Sequence, residues 1–441
     1  MIEEAETENI GNWKRSHFST EIPKKDDTSV TVMGWVRAIR KVGKLTFLQV
    51  ADREGFVQII FKGVSDDIQT KLDLLQRESV IAIKGKVKVN KTAPNGLEVI
   101  PSEMKILNLS EVPLPLEVVT QKTPADMITR LNSRFMDLRK PEISAIFKIK
   151  DMVAKATREY FDKNKFIEIQ SPKLMSVPSE SGANVFEVNY FKTKAFLAQS
   201  PQFYKQIMMA AGFDRVYEIA PIFRAEKHHT YRHVTEFTSM DFEMSFVDFE
   251  DVLSEAENLM VHIYKYVQTH CTKELTILDK KITIPSKPFP RVSMSEAFKM
   301  INEKDNGEDL SSDQEKVFYE ACKKKFDHEF VFLVDFPWSV RPFYHMKKDS
   351  KITFSADLLC KGLEIATLAQ REHRYEILMK QLKDKKILPK GIEHYLNAFK
   401  FGMPPHGGAG LGLDRIVMKM LDLPNIREAV LFPRDPERLT P

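Results

Sequence analysis

A small β-barrel followed by a larger α+β domain is the fold class the sequence predicts, on three observations. The chain has 441 residues, more than one small domain holds. Residues 13–110 are β-rich, with alternating or continuous short apolar runs, turn-prone breaks and one short helical stretch. From about residue 141 onward, helical 3.6-residue periodicity is interspersed with short strand-like runs.

The barrel elements are strands over Val30–Ile39, Thr46–Ala51 and Phe56–Phe61, a helix over Asp66–Leu75 with Ile68, Leu72 and Leu75 on one stripe, and strands over Ser79–Val89 and Leu97–Leu107 joined by the turn-forming TAPNG. Three strands, a helix and two strands are the order of an OB-fold. Residues 1–12 read as a disordered acidic tail. The proline-spaced Glu111–Asp126, within 111–140, reads as a semi-rigid hinge. The second domain, 141–441, opens with a helix over Ile143–Lys163 whose Ile146, Ile149, Val153, Ala156 and Tyr160 keep helical spacing. Strands are expected at Phe166–Ile169, Val216–Ile219, Ser239–Phe246, Phe330–Asp335 and Gly362–Ala366, and helices at Gln202–Ala211 and Glu250–Gln268. Residues 271–325 are less patterned and read as an inserted region.

Bulk composition excludes little. The net charge is +4, from 66 basic and 62 acidic residues, so the total does not point to nucleic acid. Residues 11–115 hold 17 Lys and Arg against 12 Asp and Glu, compatible with either a phosphate-backbone partner or a solvated surface. Cys271, Cys322 and Cys360 are scattered, with no metal spacing, and read as reduced thiols of a cytoplasmic protein. The start, MIEEAETENI, reads as neither signal nor transit peptide, and no apolar run approaches the roughly 20 residues that cross a bilayer.

Two motifs carry the function. FRAEKHHTYRHVTEF (Phe223–Phe237) places Arg224 two residues before Glu226, then a polar loop, then Arg232-His233 and Glu236-Phe237. GLGLDR (Gly410–Arg415) follows near the C-terminus, and FIEIQSPKL (Phe166–Leu174) precedes both. In this order they resemble motifs 2, 3 and 1 of the class II aminoacyl-tRNA synthetases. AQSPQFYKQ (Ala198–Gln206), LAQREH (Leu368–His373) and LFPRDPERLTP (Leu431–Pro441) extend the resemblance over nearly the whole chain. It is closest to the archaeal and eukaryotic type of aspartyl-tRNA synthetase, in class IIb.

The resemblance implies an antiparallel catalytic sheet flanked by helices, and a ligase using ATP, Mg²⁺, L-aspartate and tRNA-Asp, with tRNA-Asn as a second candidate. Adenylate formation joins two anions, so positioning and charge neutralisation carry it. By the family pattern, Arg224 bridges the α-phosphate and the substrate carboxylate, and Glu226 contacts adenosine. Phe237 stacks on adenine, Arg232 and His233 lie in the phosphate loop, and Arg415 lies against adenine and the γ-phosphate. Gly410 and Gly412 let the backbone approach the nucleotide. Asp357 and Glu364, flanking a strand, match the metal site with Thr367. Lys205 and Arg371 match the cations that hold the substrate side-chain carboxylate, with Gln202 in the same pocket, Asp241 placed to brace Arg371, and Glu180 in the loop closing on the substrate amine. Phe47, Gln58 and Glu98 match anticodon-contacting positions, although strand alternation also permits Phe47 as core. His228 and His229 fit either contacts to the tRNA acceptor end or an ordinary exposed loop. Pro172 matches the motif 1 proline of a homodimer interface.

The chain departs from the pattern at Thr367-Leu368-Ala369, where the family usually has Ser-Gly followed by a small residue. Leu368 is expected to add bulk close to the substrate and is the best support for a non-catalytic RNA-binding relative. Ser181 replaces a common glycine. For tRNA range, Pro94 fits the relaxed type and Arg37 fits neither type. An asparaginyl enzyme is the nearest alternative activity, and Lys205 argues against it, because an amide substrate would leave a buried ammonium unpaired.

Overall fold

The computed structural model describes residues 7–119, 125–177, 184–227 and 230–440. It divides into two units, Met1–Pro141 and Glu142–Pro441.

In the first unit β1 (Ser29–Val42), β2 (Leu45–Ala51), β3 (Phe56–Lys62), β4 (Val80–Val89) and β5 (Leu97–Asn108) close a barrel in the order β1-β2-β3-β5-β4, with α1 (Asp66–Leu74) between β3 and β4. Alternation sends Leu48, Val50, Val57, Ile59 and Phe61 into the barrel core. It leaves Phe47 and Gln49 half-buried on the other face, so Phe47 is not core. Two expectations are corrected here. Residues 7–12 are ordered: Glu8 N donates to Ile106 O at 2.7 Å, the Glu8 carboxylate accepts from Ile106 N, and it meets Lys71 at 3.1 Å. Glu8 is thus held by β5 and a lysine rather than by apolar burial. The hinge region also carries structure: α2 (Met127–Asn132), α3 (Arg134–Asp137) and a small core of Leu116, Val118 and Met136. There Asp137, fully buried, accepts from Arg130, Arg134 and Lys140.

The second unit opens with α4 (Pro141–Lys163), which buries Ile146, Ile149, Val153, Ala156 and Tyr160 as its spacing predicts. The elements that follow are β6 (Ile167–Glu168), β7 (Leu174–Met175), β8 (Glu187–Tyr190), β9 (Thr193–Leu197), α5 (Gln202–Ala210), β10 (Arg215–Phe223), β11 (Glu236–Ser245), α6 (Phe249–His270) and α7 (Thr272–Ile277). Then come β12 (Arg291–Ser293), α8 (Met294–Met300), α9 (Ser312–Phe326), β13 (Phe330–Val334), β14 (Ser355–Cys360), β15 (Leu363–Arg371), α10 (Tyr375–Asp384), α11 (Glu393–Lys400), β16 (His406–Gly412) and α12 (Leu413–Met420). An eight-stranded sheet runs β12-β13-β14-β15-β16-β11-β10-β6, antiparallel except for parallel pairings at its two edges, and β7-β9-β8 form a separate small sheet. Residues 271–325 are integral to this unit, because β12 extends the sheet and α8 and α9 pack on it through Phe298, Phe318 and Cys322. The core between sheet and helices gathers α4, α6 and α12. Among the described residues no helix is long and apolar enough to cross a membrane, and all three cysteines are free and buried.

Candidate active site

The central strands β10, β11, β16 and β15 carry a cavity of about 340 Å³. Gln202, Arg224, Glu226, Arg232, His233, Phe237, Asp241, Glu364, Thr367, Arg371, Gly412 and Arg415 all line it. The chain thus brings together residues spread over more than two hundred positions.

On the half that the resemblance assigns to the nucleotide, Arg224 follows the end of β10 and its Cζ lies 5.4 Å from the centre of the Phe237 ring on β11. Arg415, in the first turn of α12, donates to Glu364 O at 2.9 Å and Glu364 Oε2 at 3.3 Å. His233 Nδ1 meets Thr230 Oγ1 at 2.6 Å and its Nε2 is 3.5 Å from Glu226. Burial lowers the His233 pKa, which favours the neutral ring.

The expected metal residues lie on paired strands rather than flanking one: Asp357 on β14 is in register with Thr367 on β15. Thr367 Oγ1 donates to Glu364 Oε1 at 2.9 Å, and Arg341 donates to Asp357 Oδ2 at 2.7 Å. Asp357 Oδ1 is buried and has no partner among the described residues. Burial first, then Glu364 and Asp309, push the Asp357 carboxyl up to about 7, against the pull of Arg341. Glu364 is held down at about 2: Arg415, Thr367 and Arg224 outweigh its desolvation, the largest single influence. An orphaned carboxylate oxygen beside a second, ionised carboxylate fits a divalent cation that takes its other ligands from water or phosphate oxygens.

The half that the resemblance assigns to the substrate side chain is a closed network. Lys205, projecting from α5 and only 2% exposed, donates to Asp241 Oδ1 and Ala409 O, each at 2.9 Å, and to Phe242 O at 3.4 Å. Arg371 donates through Nε to Glu243 Oε1 at 2.9 Å, through Nη2 to Glu243 Oε2 at 3.3 Å and Gly408 O at 3.1 Å, and through Nη1 to His345 Nε2 at 3.1 Å. A guanidinium has five N–H groups, so these four contacts leave one Nη1–H. Arg371 can only donate, so His345 accepts; burial and then Arg371 hold its pKa well below the ordinary value. Asp241 therefore braces Lys205. Arg371 is braced instead by Glu243, a fully buried residue that sequence reasoning missed. Lys205 was expected to touch substrate, but it lies beneath the wall that Gln202, Asp241 and Arg371 form. Gln202 Nε2 is buried with no partner among the described residues.

Gly410 lies against Asp241. A Cβ there would stand 3.0 Å from Asp241 Oδ1, and one at Gly408 would stand 2.1 Å from Phe242 O, so β16 is glycine-rich in order to lie against the charged network. Leu368 is corrected too. It is fully buried in the core with Val252, Leu253 and Ala256 of α6, not on the cavity wall, because alternation along β15 turns it away from Thr367.

On the barrel, Phe47, Gln58 and Glu98 line one groove of about 490 Å³ with Arg40, Gln49 and Asn90. Glu98 accepts from Gln58 at 3.4 Å and from Asn90 at 3.3 Å. Arg37 is the bulged residue of β1 and faces Glu78 at 3.1 Å, outside this groove. Pro94 is half-buried in the adjoining turn, and Pro172 is exposed between β6 and β7. Glu180, Ser181, His228 and His229 lie outside the described residues.

Comparison with known proteins gives the family. Residues 126–436 match the family described as tRNA synthetases class II (D, K and N), and residues 30–107 match the OB-fold nucleic acid binding domain. An aspartate–tRNA(Asp) ligase of Thermococcus kodakarensis is 46% identical over 437 residues, covering 97% of this chain and 100% of the relative. An aspartate–tRNA(Asp/Asn) ligase of Methanothermobacter thermautotrophicus is 44% identical over 441 residues, covering 98% and 100%. Among solved structures, asparaginyl-tRNA synthetase from Pyrococcus horikoshii with asparaginyl-adenylate has a TM-score of 0.88 at 31% identity, covering 97% and 100%. Aspartyl tRNA synthetase from Entamoeba histolytica has a TM-score of 0.86 at 31% identity, covering 98% and 93%.

Proposed function

The chain belongs to the class II tRNA synthetases of the D, K and N group, and from that premise we infer that it is an aspartate–tRNA ligase acting in the cytoplasm as a homodimer paired around Pro172. The observation that carries the choice of amino acid is the buried pair of cations, Arg371 and Lys205, set against the floor of the cavity. Arg371 keeps one N–H, and Gln202 Nε2 is unsatisfied. Both are donors, and a carboxylate accepts from both. A carboxamide would turn its own N–H groups toward one of them and leave a donor unpaired. Lys205 acts through Asp241 and through its charge.

In the first step an α-carboxylate oxygen of aspartate attacks the α-phosphorus of ATP and pyrophosphate leaves. Arg224 lies where both anions meet, Phe237 offers its ring to adenine, and Arg232, His233 and Arg415 face the triphosphate. Asp357 and Glu364, with Thr367, would hold Mg²⁺, which supplies charge neutralisation on the phosphates when bound. In the second step a hydroxyl of the terminal tRNA ribose attacks the aspartyl carbonyl, the mixed anhydride breaks and AMP leaves. Glu180 would close on the substrate amine. The barrel groove around Phe47, Gln58 and Glu98 suits a splayed anticodon base, with a ring to stack on and polar edges to read it.

Pro94 beside that groove supports charging of tRNA-Asn as well as tRNA-Asp. Charging both transcripts with aspartate tests this: wild type loads both, and Pro94→Lys loses tRNA-Asn alone. Loading of tRNA-Asp only by wild type would refute the relaxed range, and loading of neither would refute the ligase.

A further inference from the structure

Helix α9 lies in the region that the sequence presents as an insertion, yet its first turn reaches Arg232, which lines the cavity. Ser311 caps it: Gln314 N donates to Ser311 Oγ at 3.3 Å, and the Gln314 side chain accepts from Ser311 N at 2.8 Å. Phe318 and Cys322 anchor the same helix in the core beside β12 and β13. The first turn is therefore fixed at both ends. It directs Glu315 onto Arg232 in an ion pair whose side chains are only 12% and 16% exposed. The next residue, Lys316, stands 5.7 Å from the centre of the Tyr231 ring. Arg232 itself sits in the irregular connection between β10 and β11. A long side chain on a loop has many conformations to lose, and a charged acceptor on a rigid helix selects one. Among the described residues Glu315 is the one side-chain acceptor for the Arg232 guanidinium.

We propose that Glu315 is a positioning residue for ATP: from α9 it holds Arg232 at the cavity wall, leaving the other guanidinium N–H groups to the triphosphate. The proposal rests on reading Arg232 as a triphosphate ligand. The segment carrying α9 thereby becomes part of the nucleotide site instead of an appendage.

Aspartate-dependent ATP–pyrophosphate exchange tests it in the full-length enzyme. Glu315→Ala is expected to raise KM for ATP about tenfold, the range of one charge-assisted hydrogen bond, with KM for aspartate unchanged and kcat little altered. Glu315→Gln recovers much of the loss, since its amide oxygen still accepts. Glu315→Ala combined with Arg232→Ala is no worse than Arg232→Ala alone, because the first acts through the second. A KM for ATP that stays within about twofold of wild type or falls in Glu315→Ala, or two effects that multiply, would overturn the proposal. If Arg232→Ala itself leaves KM for ATP unchanged, the reading of Arg232 fails and the proposal with it. If Arg232→Ala raises it and Glu315→Ala does not, the positioning role alone fails.

Discussion

On the side-chain half of the cavity Lys205, Asp241, Glu243 and Arg371 are buried and bonded to one another, whereas on the nucleotide half Arg224 has the Phe237 ring beside it and Asp357 Oδ1 has no partner among the described residues. The first half is complete before any ligand arrives. Its two cations and two carboxylates balance, and the few donors left over define what can bind. The second half keeps groups that a phosphate or cation would satisfy. Selectivity among amino acids needs a rigid donor pattern, and charge already paired inside the protein costs no reorganisation when substrate enters. A triphosphate brings its own charge and so can complete an arrangement left open.

If this contrast is right, variants in the two halves differ in kind. Glu243→Ala should have the largest effect, because it strands Arg371 as an unpaired buried charge. Unfolding free energy should fall by about 3–5 kcal/mol, with loss of aspartate activation, read by denaturant melts and exchange assays. Leu368→Ala should destabilise by about 2–5 kcal/mol while KM for aspartate holds, since Leu368 packs against α6. A changed KM in a stable variant would return that side chain to the pocket. Arg224→Ala should leave the unfolding free energy within about 0.5 kcal/mol of wild type while exchange drops about 10²–10³-fold. Comparable loss of stability there would erase the contrast.

The smallest effect is a sensitivity to acid on the side-chain half. His406 Nδ1 donates to Pro404 O at 2.8 Å and its Nε2 accepts from Gln206 at 2.8 Å, tying β16 to α5. The Gln206 contact needs the neutral ring, and burial lowers the pKa to about 4. Below the unfolded value of about 6.5 the unfolded chain binds the proton and the folded one does not, so stability falls as pH drops from about 6.5 toward 4. At pH 6 the loss relative to pH 8 is about 1 kcal/mol. Comparing melts of wild type and His406→Gln at the two pH values isolates it: the variant should lose less.

How far the sequence could be read follows from the same chemistry. The barrel strands and α4 were legible because one face of each is wet and the period shows. β14, SADLLC, is buried on every residue and shows no alternation. β16, HGGAGLG, reads as a loop by composition, and only the close approach of β11 with Asp241 explains why a strand should be built from glycine. Many of the residues lining the cavity were announced by the motifs around Arg224 and Arg415. Glu243 was hidden, since one more acid on a strand carries no signal until its partner, 128 positions away, is placed. Leu368 misled because a departure from a familiar tripeptide says nothing about which face of the strand carries it.

The most direct test of the central claim is ATP–pyrophosphate exchange with aspartate, asparagine and glutamate in parallel, alongside Lys205→Leu. The account predicts exchange with aspartate alone, lost in the variant. Exchange with asparagine at a comparable rate, or none with any amino acid in folded protein, would contradict it.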